Sequence, residues 1–168
     1  MIISAPRSGG AWCANWLSIP GHVCLHDPMW DFHYTKWDNL PHVWGIACTA
    51  IGCIPEWVNA HPCPKVILHR PKGEIDCALA QIGLPEVPQR LMDCLDLCHG
   101  LHVNWTDLFT EEGAQAIHEH LEVGAFDVYR WAMLRYLNVT SNWRQRLAAR
   151  DIMATRLNLE DIAREALS

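Results

Sequence analysis

Apolar and polar positions come in short blocks along this chain. Ile2-Ile3-Ser4 is a brief apolar run and predicts a short buried strand. Ala5-Pro6-Arg7-Ser8-Gly9-Gly10 then breaks it with turn-forming residues. From Ala11 to Ser18 the apolar positions return at helical spacing, with Trp12 and Trp16 one turn apart, and Pro20-Gly21 marks the stop. His22 to His26 reads as a second strand before an Asp27-Pro28 turn. Residues 29–42 mix aromatic and polar side chains without a period and read as loop or short helices. Trp44 to Cys48 predicts a strand and Pro55 to Asn59 a short helix. Lys65-Val66-Ile67-Leu68-His69 is the clearest strand: apolar, β-branched and led in by Pro62 and Pro64.

The second half continues the alternation. Gly73 to Ile82 suits a helix closed by Gly83 and Pro85. Pro88 to His99 suits another, with Leu91, Leu95 and Cys98 on one face and Gly100 as its stop. Leu101 to Trp105 reads as a strand. Glu111 to Leu121 reads as a helix with Thr110 as N-cap and Gly113 as its weak point. Phe126 to Leu137 is strongly helical, and Trp143 to Arg150 and Leu159 to Leu167 complete a helical tail. Strands alternating with helices imply α/β architecture, a parallel sheet of about four or five strands covered on both faces. No repeat, linker or low-complexity run divides the chain, so residues 1–168 are expected to form a single domain with a helical tail over about 126–168.

Composition narrows the function classes. The net charge of −6 argues against a general nucleic-acid binder, which would be basic. No run approaches the roughly 18 apolar residues of a membrane span. Pro6-Arg7-Ser8-Gly9-Gly10 interrupts any apolar leader, so the N-terminus does not read as a signal peptide and a cytoplasmic location is expected. On that reading the 8 cysteines are mostly reduced, buried thiols. Nine tryptophans imply large rigid fillers in a core or interface and name no ligand.

The strand–glycine loop–helix at the start is where chemistry concentrates. Unpaired N–H groups and the helix dipole favour an anion at such a helix N-terminus. Gly9 and Gly10 let the backbone curl, Arg7 offers a fixed cationic fork, and Ser8 adds a hydroxyl. A plain strand–turn–helix with a surface arginine is the alternative. The absence of Gly-Lys-Ser/Thr separates the loop from that of nucleotide kinases.

"SAPRSGGAWCANWL" resembles the 5′-phosphosulfate loop of sulfotransferases, typically Pro-Arg-Ser-Gly-Thr-Thr-Trp. Pro6, Arg7, Ser8, Gly9 and Trp12 match in order, while Gly10 and Ala11 stand where the family often has threonines. The resemblance implies a P-loop-like three-layer sandwich with a small parallel sheet. It implies 3′-phosphoadenosine-5′-phosphosulfate (PAPS) as cosubstrate and no metal, with residues 7–12 at the phosphosulfate. "GIACTAIGCIPEWVNAHPCPKVILHRPKGEIDCALAQIGLP" is similar to the family's middle, where a strand ends in Arg and the next helix carries Ser, both on the cofactor's 3′-phosphate. Here Arg70 or His69 matches the arginine, depending on spacing, and Cys77 occupies the serine position. "NWTDLF" and "FDVYRWAMLRYLNV" resemble later segments of small bacterial sulfotransferase-like proteins, so the likeness spans about residues 1–140. Full-length relatives are commonly longer.

Within that resemblance, Arg7 would clamp the phosphosulfate and stabilise the leaving oxygen, and a base would take the acceptor's proton. "CLHDPMW" lies where relatives often carry a base. Asp27 is the first candidate and His26 the second, with Asp31 and His33 behind them; a turn-forming Asp before Pro is the structural alternative for Asp27.

Other constellations carry less. His22, Cys24 and His26 would share a strand face and are zinc-ligand types, but a core role with a site histidine accounts for them better, and no metal is expected. Cys94-x3-Cys98-His99 lacks a paired knuckle. Cys13, near the start of the first helix, is expected to have its thiol pKa lowered by the dipole. Arg130, Arg135, Arg144, Arg146, Arg150, Arg156 and Arg164 interleave with acids and read as a solvated helix surface. Trp131, Leu134 and Leu137 read as core.

The leading expectation is a small sulfotransferase acting on a small-molecule or glycan acceptor. The alternative is a non-catalytic sulfotransferase-like protein, nucleotide-binding or serving in interaction or structure. The two threonine positions, Cys77 and the short length favour the alternative. A homo-oligomer or a protein partner stays open.

Overall fold

A computed structural model describes residues 1–19, 22–40 and 42–137. The helices expected at 143–150 and 159–167 lie outside the described residues. The architecture is α/β. Five strands, β1 (Ile2–Ser4), β2 (Val23–His26), β3 (Val43–Cys48), β4 (Val66–His69) and β5 (Leu101–Asn104), form an all-parallel sheet in the order β2-β3-β1-β4-β5. Among the described residues six α-helices accompany them: α1 (Gly10–Leu17), α2 (Pro55–Ala60), α3 (Lys72–Ala80), α4 (Gln89–Asp96), α5 (Glu111–His120) and α6 (Val128–Leu137). The described residues divide into two compact units, Met1–Gly10 with Cys48–Phe126, and Ala11–Ala47 with 127–137.

In the first unit β4 lies between β1 and β5. Ile2, Ile3 and Ser4 are in register with Val66, Ile67 and Leu68, and Val66, Ile67, Leu68 and His69 with Leu101, His102, Val103 and Asn104. The β1 and β4 side chains at these paired positions are buried except His69, as expected of parallel strands covered on both faces. Alternation assigns the faces. Ile3 meets Gly52, and a Cβ on Gly52 would also lie 2.7 Å from Leu95 of α4. Leu68, one position on from Ile67, belongs to the face near Gly9 and Leu108. Each fully buried Ile or Leu here contributes about 1.5–3 kcal/mol by leaving water.

Several boundaries differ from expectation, two of them for a visible local reason. The fifth strand stops at Asn104, because Asn104 and Asp107 form a reciprocal capping box that starts a 3-10 turn at Trp105. The helix expected to reach His99 ends at Asp96, and Cys98 lies in the turn after it. Gly100 does end this segment, with φ 155 and no room for a Cβ, which would sit 2.5 Å from the Lys65 carbonyl. Thr110 caps α5 as expected, its Oγ1 accepting from the Gly113 N–H at 3.1 Å.

The second unit is built on indoles. Trp12 and Trp16 stand one turn apart on α1 with ring centroids 5.3 Å apart, and both are buried. Trp12 Nε1 donates to the Leu134 carbonyl at 3.4 Å, and Trp44 Nε1 donates to the Leu17 carbonyl at 3.0 Å. Trp131 and Leu134 are buried, as core positions should be. Arg130 corrects the reading of the basic residues as a solvated surface. Its guanidinium donates to the carbonyls of Asn15 (3.1 Å), Trp16 (3.1 Å) and Ser18, satisfying the C-terminal end of α1. Burial lowers its pKa, with Asp127 opposing.

No helix among the described residues is long and apolar enough to cross a membrane.

Candidate functional site

β1 ends at Ser4, and α1 begins at Gly10. Between them the backbone is left-handed at Arg7 (φ 62) and Gly9 (φ 95). Left-handed residues alternating with ordinary ones make the backbone form of anion-binding concavities. Gly9 suits the position: its φ disfavours any L side chain, and a Cβ would lie 2.6 Å from Leu108 Cδ1, which would have to shift. Arg7 is strained there, at a cost of about 1–2 kcal/mol for a side chain with a Cβ. Its guanidinium is exposed, and no hydrogen bond or ion pair holds it among the described residues. Ser8 is buried, and its hydroxyl donates to the Pro6 carbonyl at 3.3 Å. Ser4, at the end of β1, buries a hydroxyl that meets no hydrogen-bond partner among the described residues. The sheet face of Ser4 is that of its register partner Leu68, the face near Gly9.

Arg70 is the sequence-predicted residue that the first unit brings to this loop. It follows the last residue of β4, and its Nη1 donates to the Arg7 carbonyl at 2.5 Å. Its Nε pairs with Glu74 Oε2 at 3.2 Å, one turn into α3. Its guanidinium lies over the Trp105 ring, 4.1 Å from the centroid. Three contacts therefore hold Arg70 and, through the carbonyl, the strained Arg7. Trp105 was missed as a site residue. The signal was present in the Asn104-x-x-Asp107 spacing, which ends the strand and turns the indole into position. His69, the other match for that position, is engaged with His102 and Asp96 instead. Cys77 is exposed on α3, and no hydrogen bond ties it to the loop among the described residues.

The remaining candidates belong to the second unit. Ala11 and Trp12 continue α1 from Gly10, and Trp12 is a core residue. Asp27 is left-handed (φ 45, ψ 51), a conformation Asp tolerates, and its N–H donates to the Ala47 carbonyl at 2.8 Å. His26 Nε2 lies 3.4 Å from Asp27 Oδ2, with side chains 8% and 13% exposed. This pair could hold or pass a proton. Its backbone geometry is equally that of the structural turn weighed against it. His33 bonds Thr35 Oγ1 at 2.8 Å and stacks on Tyr34, and Asp31 closes the Pro28–Trp30 turn. His22 lies edge-on to Trp44, and Cys24 is buried.

All eight cysteines stand as thiols. Half are buried: Cys13, Cys24, Cys48 and Cys98; Cys53 and Cys77 are exposed. Cys13 overturns the expectation of a lowered thiol pKa. It is fully buried, and desolvation, with Cys24 adding to it, pushes the pKa well above the ordinary value. Burial likewise pushes Cys24 up to about 12 and Cys98 to about 11. Among the described residues no group of three or more His, Cys, Asp or Glu is placed to hold a metal ion.

Comparison of the chain with protein-family models, curated proteins and solved structures returned no match.

Proposed function

We propose that the chain is a small sulfotransferase of P-loop-like, three-layer fold, using PAPS as cosubstrate and residues 7–12 as its phosphosulfate loop. The observation that carries this reading is the loop after β1. It pairs left-handed Arg7 and Gly9 at the carboxyl end of a parallel strand with an exposed, unheld guanidinium among the described residues. Ligands of open α/β sheets bind at the carboxyl ends of strands. Arg7 would meet the phosphosulfate directly. Arg70 would hold the loop and present one edge to the 3′-phosphate. Asp27, backed by His26, is the proposed base. In transfer, the acceptor hydroxyl loses its proton to that base and its oxygen bonds to sulfur. The bond from sulfur to the bridging phosphate oxygen breaks, and 3′-phosphoadenosine-5′-phosphate (PAP) leaves carrying the electron pair. The acceptor is a small molecule or glycan, and a cytoplasmic supply of PAPS fits the reading.

The test is calorimetry with PAP on the wild type and on Arg7→Ala. Arg7 is exposed, so the variant should keep its fold and lose PAP binding. Equal affinity of both proteins would remove Arg7 from the site.

A second reading is favoured by a specific observation. Arg70 is already occupied by Glu74, Trp105 and a backbone carbonyl, and the expected serine is the exposed thiol of Cys77. A 3′-phosphate would meet a half-built site, as in a non-catalytic nucleotide-binding or interaction protein. PAP binding without sulfuryl transfer to any acceptor, phenols and sugars included, would favour that reading.

A further inference from the structure

The carboxyl end of β4 carries a second polar arrangement that the phosphosulfate reading does not use. His69 Nε2 lies 2.8 Å from His102 Nδ1, and His102 Nε2 lies 2.8 Å from the Cys98 carbonyl oxygen. On its other side, His69 Nδ1 lies 3.7 Å from Asp96 Oδ1. The two rings are 18° from parallel with centroids 5.0 Å apart.

The protons on this chain follow by elimination. A carbonyl oxygen only accepts, so His102 Nε2 carries the hydrogen. Neutral His102 then has a bare Nδ1, which accepts, so His69 Nε2 is the donor. His69 Nδ1 is left as the bare nitrogen, facing a carboxylate. One proton fits there: both hydrogen bonds persist, and a lone pair opposite Asp96 becomes an N–H⁺ opposite Asp96. A second proton has one place to go, His102 Nδ1. It turns the acceptor of the His–His bond into a donor and sets two imidazolium N–H groups against each other.

We propose that His69 and His102 form a one-proton latch that holds the Leu97–Gly100 turn and the Asp96 end of α4 on the carboxyl end of β4, and that the second proton releases it. The facing groups are few. Asp96 comes from α4 and the Cys98 carbonyl from the turn. Arg70, next along the chain, is turned to Arg7, Glu74 and Trp105. Asn104, in register with His69 on β5, does not titrate, and β1 carries no titratable side chain. The Cys98 thiol, near Cys94, Cys53 and Glu56, stays neutral across the imidazole range. Burial and the neighbouring His102 both lower the His69 pKa, with Asp96 opposing. Release is local, because Asn59 still tethers the turn, accepting from the His99 N–H at 2.6 Å and donating to the Leu97 carbonyl at 3.0 Å.

The experiment is imidazole 15N NMR on the wild-type protein, with amide hydrogen exchange of residues 97–102 between pH 7.5 and 5. At the upper pH both rings should be Nε2–H tautomers. On acidification the two rings should take up protons in two linked steps, with His69 below the ordinary imidazole range. After correction for intrinsic rates, exchange in the turn should rise at least tenfold. His102→Gln, whose amide can accept from His69 and donate to Cys98, should flatten that rise, and Asp96→Asn should lower the first step. An Nδ1–H tautomer on His102, two independent ordinary titrations, or an identical exchange profile in His102→Gln would each overturn the latch. The tautomer and titration readouts need no variant, so a misfolded variant does not protect the proposal.

Discussion

Two arginines, one in each unit, show how differently the same side chain is used. Arg70 reaches a single loop carbonyl, keeps a carboxylate partner in Glu74 and stacks on an indole at a partly open edge. Arg130 gives its donors to three carbonyls at the C-terminal end of α1, where the helix dipole is negative. The first arrangement steadies a strained backbone beside a candidate anion site. The second closes a helix end inside an aromatic core. The contrast extends to titration. The first unit contains two imidazoles with lowered pKa, His69 and His118, each lowered first by burial. The second unit is held by indoles and a guanidinium, and raised thiols occur in both units, Cys13 and Cys24 in the second and Cys53 and Cys98 in the first. A residue type alone does not say which use applies; the groups it meets decide.

The largest expected effect attacks the indole core. Trp12→Ala should cost about 3–5 kcal/mol in denaturant unfolding, because it empties a fully packed site and removes the indole donor from the Leu134 carbonyl. A loss below about 1 kcal/mol would show that the second unit does not depend on its indoles.

Next comes the pair of arginines. Arg130→Met should cost roughly 2–3 kcal/mol, since buried carbonyls lose a charged donor. Arg70→Met should cost about 1 kcal/mol or less, being partly exposed, yet weaken PAP binding more than Arg130→Met does. The reverse order in both measurements would invert the comparison.

Gly9→Ala tests the loop. A left-handed backbone, with a Leu108 methyl that must move aside, should cost about 1–3 kcal/mol. The same substitution should remove PAP binding even where the protein stays folded, as judged by circular dichroism and calorimetry.

The smallest effect concerns pH. For a histidine with lowered folded-state pKa, the unfolded chain binds the proton first. Stability is then fully present above the ordinary imidazole value and is lost as pH falls through it. His69 and His118 place that loss in the first unit. The raised thiols of Cys13 and Cys24 act with the opposite sign, holding stability below the ordinary thiol value and losing it as pH rises past it. Hydrogen exchange resolved by residue should show amides of 48–126 loosening toward mild acid before those of 11–47. Simultaneous loosening of both would erase the distinction.

Much of this was legible along the chain. Ile2-Ile3-Ser4, the glycine loop, the Trp12/Trp16 spacing and Lys65–His69 led directly to β1, the turn, α1 and β4, because each signal acts within a few residues. Thr110 reads as an N-cap for the same reason. The strand through Trp105 failed because the capping residues outweighed the β-prone indole. Cys13 failed because burial outweighed the helix dipole, and burial is not a local property.

The sequence by itself determined the order of strands and helices, the α/β class and the candidate loop at residues 5–10. Tertiary structure alone decided what the polar side chains do. Arg70 and Arg7 are 63 positions apart, His69 and His102 33, and Arg130 and Trp16 114. Hydrophobic periodicity is set by neighbours three or four residues away and survives in any one-dimensional reading. A hydrogen bond exists only where folding has brought two distant groups within about 3 Å at a suitable angle.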